Sequence, residues 1–174
     1  MKKLVIRLVL LFPLTLIILG AMLFIPAGTW NYWQAWIFLP VLFIPFLFTA
    51  VYFMNKDPGL MERRMKFQEK ENRQRKIIKL SSIFFLIGFL IPGLDFRYGW
   101  SHVPTSLVII GDIFVFLGYA IIFFVFKENS YTSRTVEVYK KQKLVSSGPY
   151  SIVRHPMYSG FLIMFISIPL ALGS

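Results

Sequence analysis

VPTSLVIIGDIFVFLGYAIIFFVF, Val103 to Phe126, is an apolar run of helical length interrupted by one charge, Asp112. A helix rises ~1.5 Å per residue, and a hydrocarbon core ~30 Å thick asks for about 20 such residues. The run has that length, and it has company. Leu4 to Pro26 carries one charge, Arg7; Trp30 to Met54 carries none; Leu80 to Leu94 is a shorter run of the same kind. The chain is 56% hydrophobic with a mean hydropathy of +0.64, above the ~45–50% apolar content of a soluble domain. Buried helices of a soluble bundle rarely need four such runs. The reading is an all-α, polytopic integral membrane bundle of about five transmembrane helices. The predicted spans are 4–26, 30–54, 77–94, 103–126 and 157–173, in a single membrane domain, with 127–156 as a polar connecting segment.

The first run is longer than the ~7–15 residues of a signal-peptide core, and no small-x-small site follows it, so it reads as a membrane helix. There is no cysteine, which excludes disulfides, thiolate metal ligands and a cysteine nucleophile. Trp30, Tyr32, Trp33 and Trp36 flank the turn after the first run, as aromatics of the headgroup layer do.

Charge sets the expected orientation. The N-terminus carries Lys2, Lys3 and Arg7; segment 55–79 is net +5, 95–102 is neutral and 127–158 is net +4. Alternate connections are therefore basic, which places the N-terminus, 55–79 and 127–158 on the cytoplasmic face, as in a bacterial inner (plasma) membrane. The net charge of +11 needs no nucleic acid, because basic loops beside anionic headgroups account for it. Segment 62–79 mixes signs at helical spacing, with Glu69 before Arg73 and Glu71 before Arg75, as in an interfacial helix. Asp112 lies within about two turns of Val103 and reads as a capped or water-exposed carboxylate near the outer interface.

The chemistry concentrates between Lys127 and Gly160. Thr135 to Tyr139 alternates like a short extended piece. Gly148-Pro149 signals a turn, and Pro156 suits the first turn of a helix. The positive end of that helix dipole would face the polar segment. Arg154 can grip a carboxylate or phosphate through parallel hydrogen bonds. Tyr150 and Tyr158 offer ring faces, and His155 can donate or accept. Taken singly, Arg154 could serve as a phospholipid contact, His155 as a cap and Tyr158 as an interfacial anchor. Their grouping between Gly148 and Tyr158 favours a cradle for an anion joined to a flat heteroaromatic. S-adenosylmethionine and a nicotinamide dinucleotide both match, and residue chemistry does not separate them.

The pattern Gly148-Pro149-Tyr150-x-x-x-Arg154-His155-Pro156-x-Tyr158 before a late membrane helix resembles the isoprenylcysteine carboxyl methyltransferase family and the related phospholipid methyltransferases. The likeness covers about residues 129–160. It implies S-adenosylmethionine bound on the cytoplasmic side by Gln142, Lys143, Leu144, Val145, Tyr150, His155, Pro156, Met157 and Tyr158. Many members have histidine where this chain has Gln142. The implied reaction is methyl transfer to a lipophilic or prenylated substrate in the membrane, with carboxyl O-methylation of an isoprenylcysteine-like group preferred. Arg154 takes the catalytic role of holding an anionic group. Membrane sterol reductases carry a similar Arg-x-Pro-x-Tyr element for NADPH and are the competing enzyme class. A non-catalytic membrane protein is the third reading. The family continues past this helix with a further apolar stretch, a Glu-Glu pair and a basic tail. With only 16 residues from Tyr158 to Gly173, the expectation is a short, tilted last helix or a chain lacking that C-terminal part.

Overall fold

The computed structural model describes residues 2–65, 72–132 and 145–174. Within these residues six helices follow in order: α1 (Lys2–Ala27), α2 (Trp33–Lys56), α3 (Pro58–Arg64), α4 (Asn72–Tyr98), α5 (Thr105–Glu128) and α6 (Pro156–Ala171), with one 3₁₀ turn, Gly148–Ser151, before the last. Among the described residues there is no strand. Four helices are long and apolar enough to cross a membrane, and α6 is a shorter apolar helix. The protein is a polytopic helical membrane protein. Thr135 to Tyr139 and the partners Glu69 and Glu71 lie outside the described residues.

The connecting segment 55–79 does not begin as one long helix. Asp57 ends α2, and its carboxylate accepts the Leu60 backbone N–H at 2.9 Å. With Pro58 at the first position, this is an N-cap followed by a residue whose missing N–H costs nothing. A separate short helix, α3, is the result, and Leu60 and Met61 are buried under it. The α4 helix runs through the segment read as an outer loop and stops at Tyr98, where Gly99 adopts φ +63°. Asp95 in its last turn is buried and accepts the Ser101 N–H at 2.8 Å.

The main core gathers Leu23, Phe24, Tyr32 and Phe38 with Val115 of α5 and Met164 and Ile168 of α6, and α5 and α6 run antiparallel beside it. Their backbones touch: a Cβ on Gly118 would come 2.7 Å from the Gly160 carbonyl, and one on Gly111 would come 2.5 Å from the Ala171 nitrogen. Small residues permit such approach between membrane helices, where van der Waals contact and not hydrophobic driving force holds the pair. The register fixes how far α6 reaches along α5. Its 16 residues span ~24 Å, yet Ala171 reaches Gly111 near the start of α5. At this far end the buried Tyr32 hydroxyl donates to the Leu172 carbonyl at 2.7 Å, and its ring stacks on Phe96 at 4.5 Å.

This packing overturns the water-exposed reading of Asp112. The side chain is 6% exposed, and neither carboxylate oxygen has a partner among the described residues. The sequence reading treated α5 alone, whereas the C-terminal turn of α6 covers its first turns, with Gly111 against Ala171.

Two predictions follow from the packing. Gly118→Ala should destabilise the detergent-solubilised protein by about 1–3 kcal/mol, the usual cost of overpacking, whereas Gly20→Ala, where a Cβ meets nothing within 4 Å, should not. Equal melting temperatures would contradict the backbone contact. Because an orphaned buried carboxylate is costly, Asp112→Leu should melt at or above the parent temperature. A large drop would mean that Asp112 has a stabilising partner.

Candidate functional site

The antiparallel α5–α6 pair brings the end of α5 beside the start of α6. Gly148 adopts φ +56°, where side chains with a Cβ are strained, and a Cβ there would lie 3.1 Å from Glu128 Oε2. The Ser147 hydroxyl donates to the other Glu128 oxygen. Glycine and the Ser147–Glu128 contact together pin the 3₁₀ turn to α5. The next residue but one, Tyr150, accepts a hydrogen bond at its hydroxyl from the Asn129 side chain at 3.0 Å. Tyr150 and Met157 also pack on a buried cluster that includes Phe53, Leu60, Val125 and Phe126.

A polar node, which sequence reasoning did not find, braces this arrangement from below. The Ser130 hydroxyl donates to Asp57 Oδ2. Arg63 Nε donates to the Ser130 carbonyl at 3.1 Å, and the guanidinium lies 3.8 Å from the Asp57 carboxylate. The Arg64 guanidinium stands 4.8 Å over the Phe126 ring. The node ties the α2–α3 junction to the segment that leaves α5. Its one legible trace was Asp57-Pro58, an N-cap signal, since nothing in the sequence pairs residue 57 with residue 130.

The predicted site residues divide by position. Pro156 is fully buried at the first turn of α6. His155 is the N-cap residue; its carbonyl accepts the Tyr158 N–H at 3.0 Å, while its imidazole makes no capping bond. The His155 and Tyr158 rings lie 5.7 Å apart at 33°, and Tyr158 is 66% exposed. Arg154 is exposed, with no hydrogen bond or ion pair among the described residues. Val145 is half-buried. Gln142, Lys143 and Leu144 lie outside the described residues. Thus Arg154, His155 and Tyr158 present free polar and aromatic surface at the positive end of α6, while Tyr150 and Met157 anchor the turn. A hollow of about 420 Å³ lies alongside, bounded by Phe124, Lys127, Glu128, Gly148, Ile152 and Ser159 among others. Among the described residues no cluster of His, Asp and Glu is suited to a metal ion.

A free guanidinium, the positive end of a helix and exposed ring faces suit an anion joined to a flat heteroaromatic. Residues 106–174, from the start of α5 onward, match the family of phospholipid methyltransferases, which includes the isoprenylcysteine carboxyl methyltransferases. The resemblance read from the GPY and RHPxY elements is borne out over this part of the chain. No curated protein and no solved structure matches the chain.

Gly148→Ala should cost about 1–2 kcal/mol for the left-handed backbone alone, lowering the melting temperature in detergent. Glu128→Ala in the same background should return part of that loss by removing the atom a Cβ would meet. No recovery in the double variant would contradict the Gly148–Glu128 contact.

Proposed function

We propose that this chain is an S-adenosylmethionine-dependent methyltransferase whose cofactor cradle is the segment from Gln142 to Tyr158. The observation that carries the reading is the match of residues 106–174 to methyltransferases, together with Arg154, without a hydrogen bond among the described residues, beside the His155–Tyr158 ring pair at the start of α6. The proposed cofactor contacts are Gln142, Lys143, Leu144, Val145, Tyr150, His155, Pro156, Met157 and Tyr158. S-adenosylmethionine, when bound, supplies an electrophilic sulfonium methyl.

The residues of this chain have the tasks of binding, orienting and excluding water. Arg154 holds a carboxylate through its planar fork. The ring faces of Tyr158 and His155 flank the site, and the pinned Gly148 turn fixes its edge. We take the substrate to be lipophilic, with a carboxylate of an isoprenylcysteine-like group as the preferred nucleophile. A carboxylate is already deprotonated and needs no general base. The alternative nucleophile is a phospholipid amine, favoured by the match to phospholipid methyltransferases; it must first lose a proton and so needs a general base.

We place the site on the cytoplasmic face of a bacterial inner membrane. The basic N-terminus, Lys56, Lys127 and the polar node share one end of the bundle, and the positive-inside rule puts that end in the cytoplasm.

Titration of the purified protein with S-adenosylhomocysteine and NADPH, side by side, tests the reading. S-adenosylhomocysteine should bind and NADPH should not. Arg154→Lys should weaken that binding about tenfold or more, since one charge-assisted hydrogen bond is worth ~1.5–3 kcal/mol. NADPH binding would favour the reductase class, and binding of neither would favour a non-catalytic protein.

A further inference from the structure

A second feature of α6 points away from α5. Gly160, Met164 and Ala171 lie on the face turned to α5 or into the core. Tyr158, Leu162, Phe165 and Pro169, spaced four, three and four residues apart, form a separate stripe along the helix. Opposite the lower part of this stripe stands α4. Phe85 of α4 meets Phe165 edge-on, with ring centroids 6.4 Å apart. Between the two helices is an apolar cleft of about 400 Å³, lined by Ser81, Phe84, Gly88, Phe89, Ile168 and Pro169 among others. Phe89 and Ile168, 3% and 5% exposed, close its far end.

The space exists because α4 leaves the bundle partway along its length. At Gly93 a Cβ would come 2.6 Å from the Leu23 carbonyl, so the two helices touch; at Gly88 a Cβ would meet nothing within 4 Å. Toward the basic end Ile77, Leu80, Ile83 and Phe84 of α4 are all exposed. The cleft is therefore closed at the far end and open toward the start of α6. From Pro169 to Tyr158 is eleven residues, or ~16 Å along the helix, and the stripe ends at the Tyr158–His155 ring pair beside Arg154. A larger apolar groove of about 870 Å³ separates α1 from α2. It runs from Phe12 and Leu47 to Thr29, Trp30 and Trp36, and no residue of α6 or of the turn before it lines it.

We propose that the α4–α6 cleft holds the hydrocarbon chain of the lipid substrate, with the polar head of that molecule at Arg154, His155 and Tyr158. The proposal rests on the methyltransferase reading for what happens at the head. The tail site itself rests on the cleft, its closed end and its register with the head group. An acyl chain and an isoprenoid chain share the chemistry that this cleft recognises.

The test uses the full chain in lipid nanodiscs with two photoreactive probes at low mole fraction. One is a phospholipid with a diazirine in its acyl chain, the other a farnesylcysteine with a diazirine in its isoprenoid chain. Peptide mapping should show saturable labelling of 84–89 and 165–169 by at least one probe, and the probe that saturates identifies the source of the chain. Gly88→Leu, which fills open space, should lower that labelling roughly tenfold or more, the scale on which an apolar pocket discriminates small differences in fit. Gly20→Leu, which fills open space on α1 at the other groove, should leave it unchanged. Ser81→Leu narrows the cleft at a second point and serves if Gly88→Leu does not fold. Labelling that rises linearly with either probe, spreads over α1, α2 and α4, or ignores both cleft variants means bulk lipid only and overturns the proposal. S-adenosylhomocysteine affinity, measured on the same samples, should not change in Gly88→Leu. If the parent chain binds none, the methyltransferase reading fails and the tail site stands or falls on the labelling alone.

Discussion

The rest of the structure depends on the backbone contact between α5 and α6. Glycine at 118 and 160, each with the other's carbonyl within 3 Å of where a Cβ would stand, lets two apolar helices meet without side chains between them. That contact fixes the register of the pair. The register lets a helix of 16 residues reach Tyr32 at the far end while its first turn stays level with Glu128. It also brings the Gly148 turn against α5. Without it, the start of α6, with Arg154, His155 and Tyr158, would have no fixed position against α5. Functional groups borne on rigid elements hold their geometry better than groups on loops.

Much of the fold was legible because membrane helices are specified by length and composition, which a sequence displays openly. The long runs were visible for that reason. What stayed hidden depends on contacts between distant residues. Asp112 looked exposed because its own helix offered no reason to bury it; the turn of α6 that covers it comes some 60 positions later in the chain. The separate helix α3 turned on Asp57 as a cap, a local signal that the reading of charges over 62–79 did not include. The Asp57–Arg63–Ser130 node needs the third dimension altogether. For the site, the GPY and RHPxY elements named its central residues. Sequence alone did not distinguish the residues that anchor the turn, Tyr150 and Met157, from those left free at its surface, Arg154, His155 and Tyr158.

The same packing separates two environments around the start of α6. On one side are the polar turn and the hollow beside Lys127 and Glu128. On another is an apolar cleft that opens because α4 parts from the bundle below Gly93. A polar methyl donor and an apolar acceptor must meet from different phases, water and bilayer. A helix terminus at their boundary can face both. In the proposed reading the guanidinium of Arg154 and the positive end of α6 serve the polar side. In the same reading the stripe of Tyr158, Leu162 and Phe165 serves the apolar one.

The most direct test of this account is photolabelling of the purified protein with methyl-tritiated S-adenosylmethionine, followed by peptide mapping. The account predicts label within residues 142–158, displaced by S-adenosylhomocysteine and not by NADPH. Label confined to other segments, or displaced by NADPH, would contradict it.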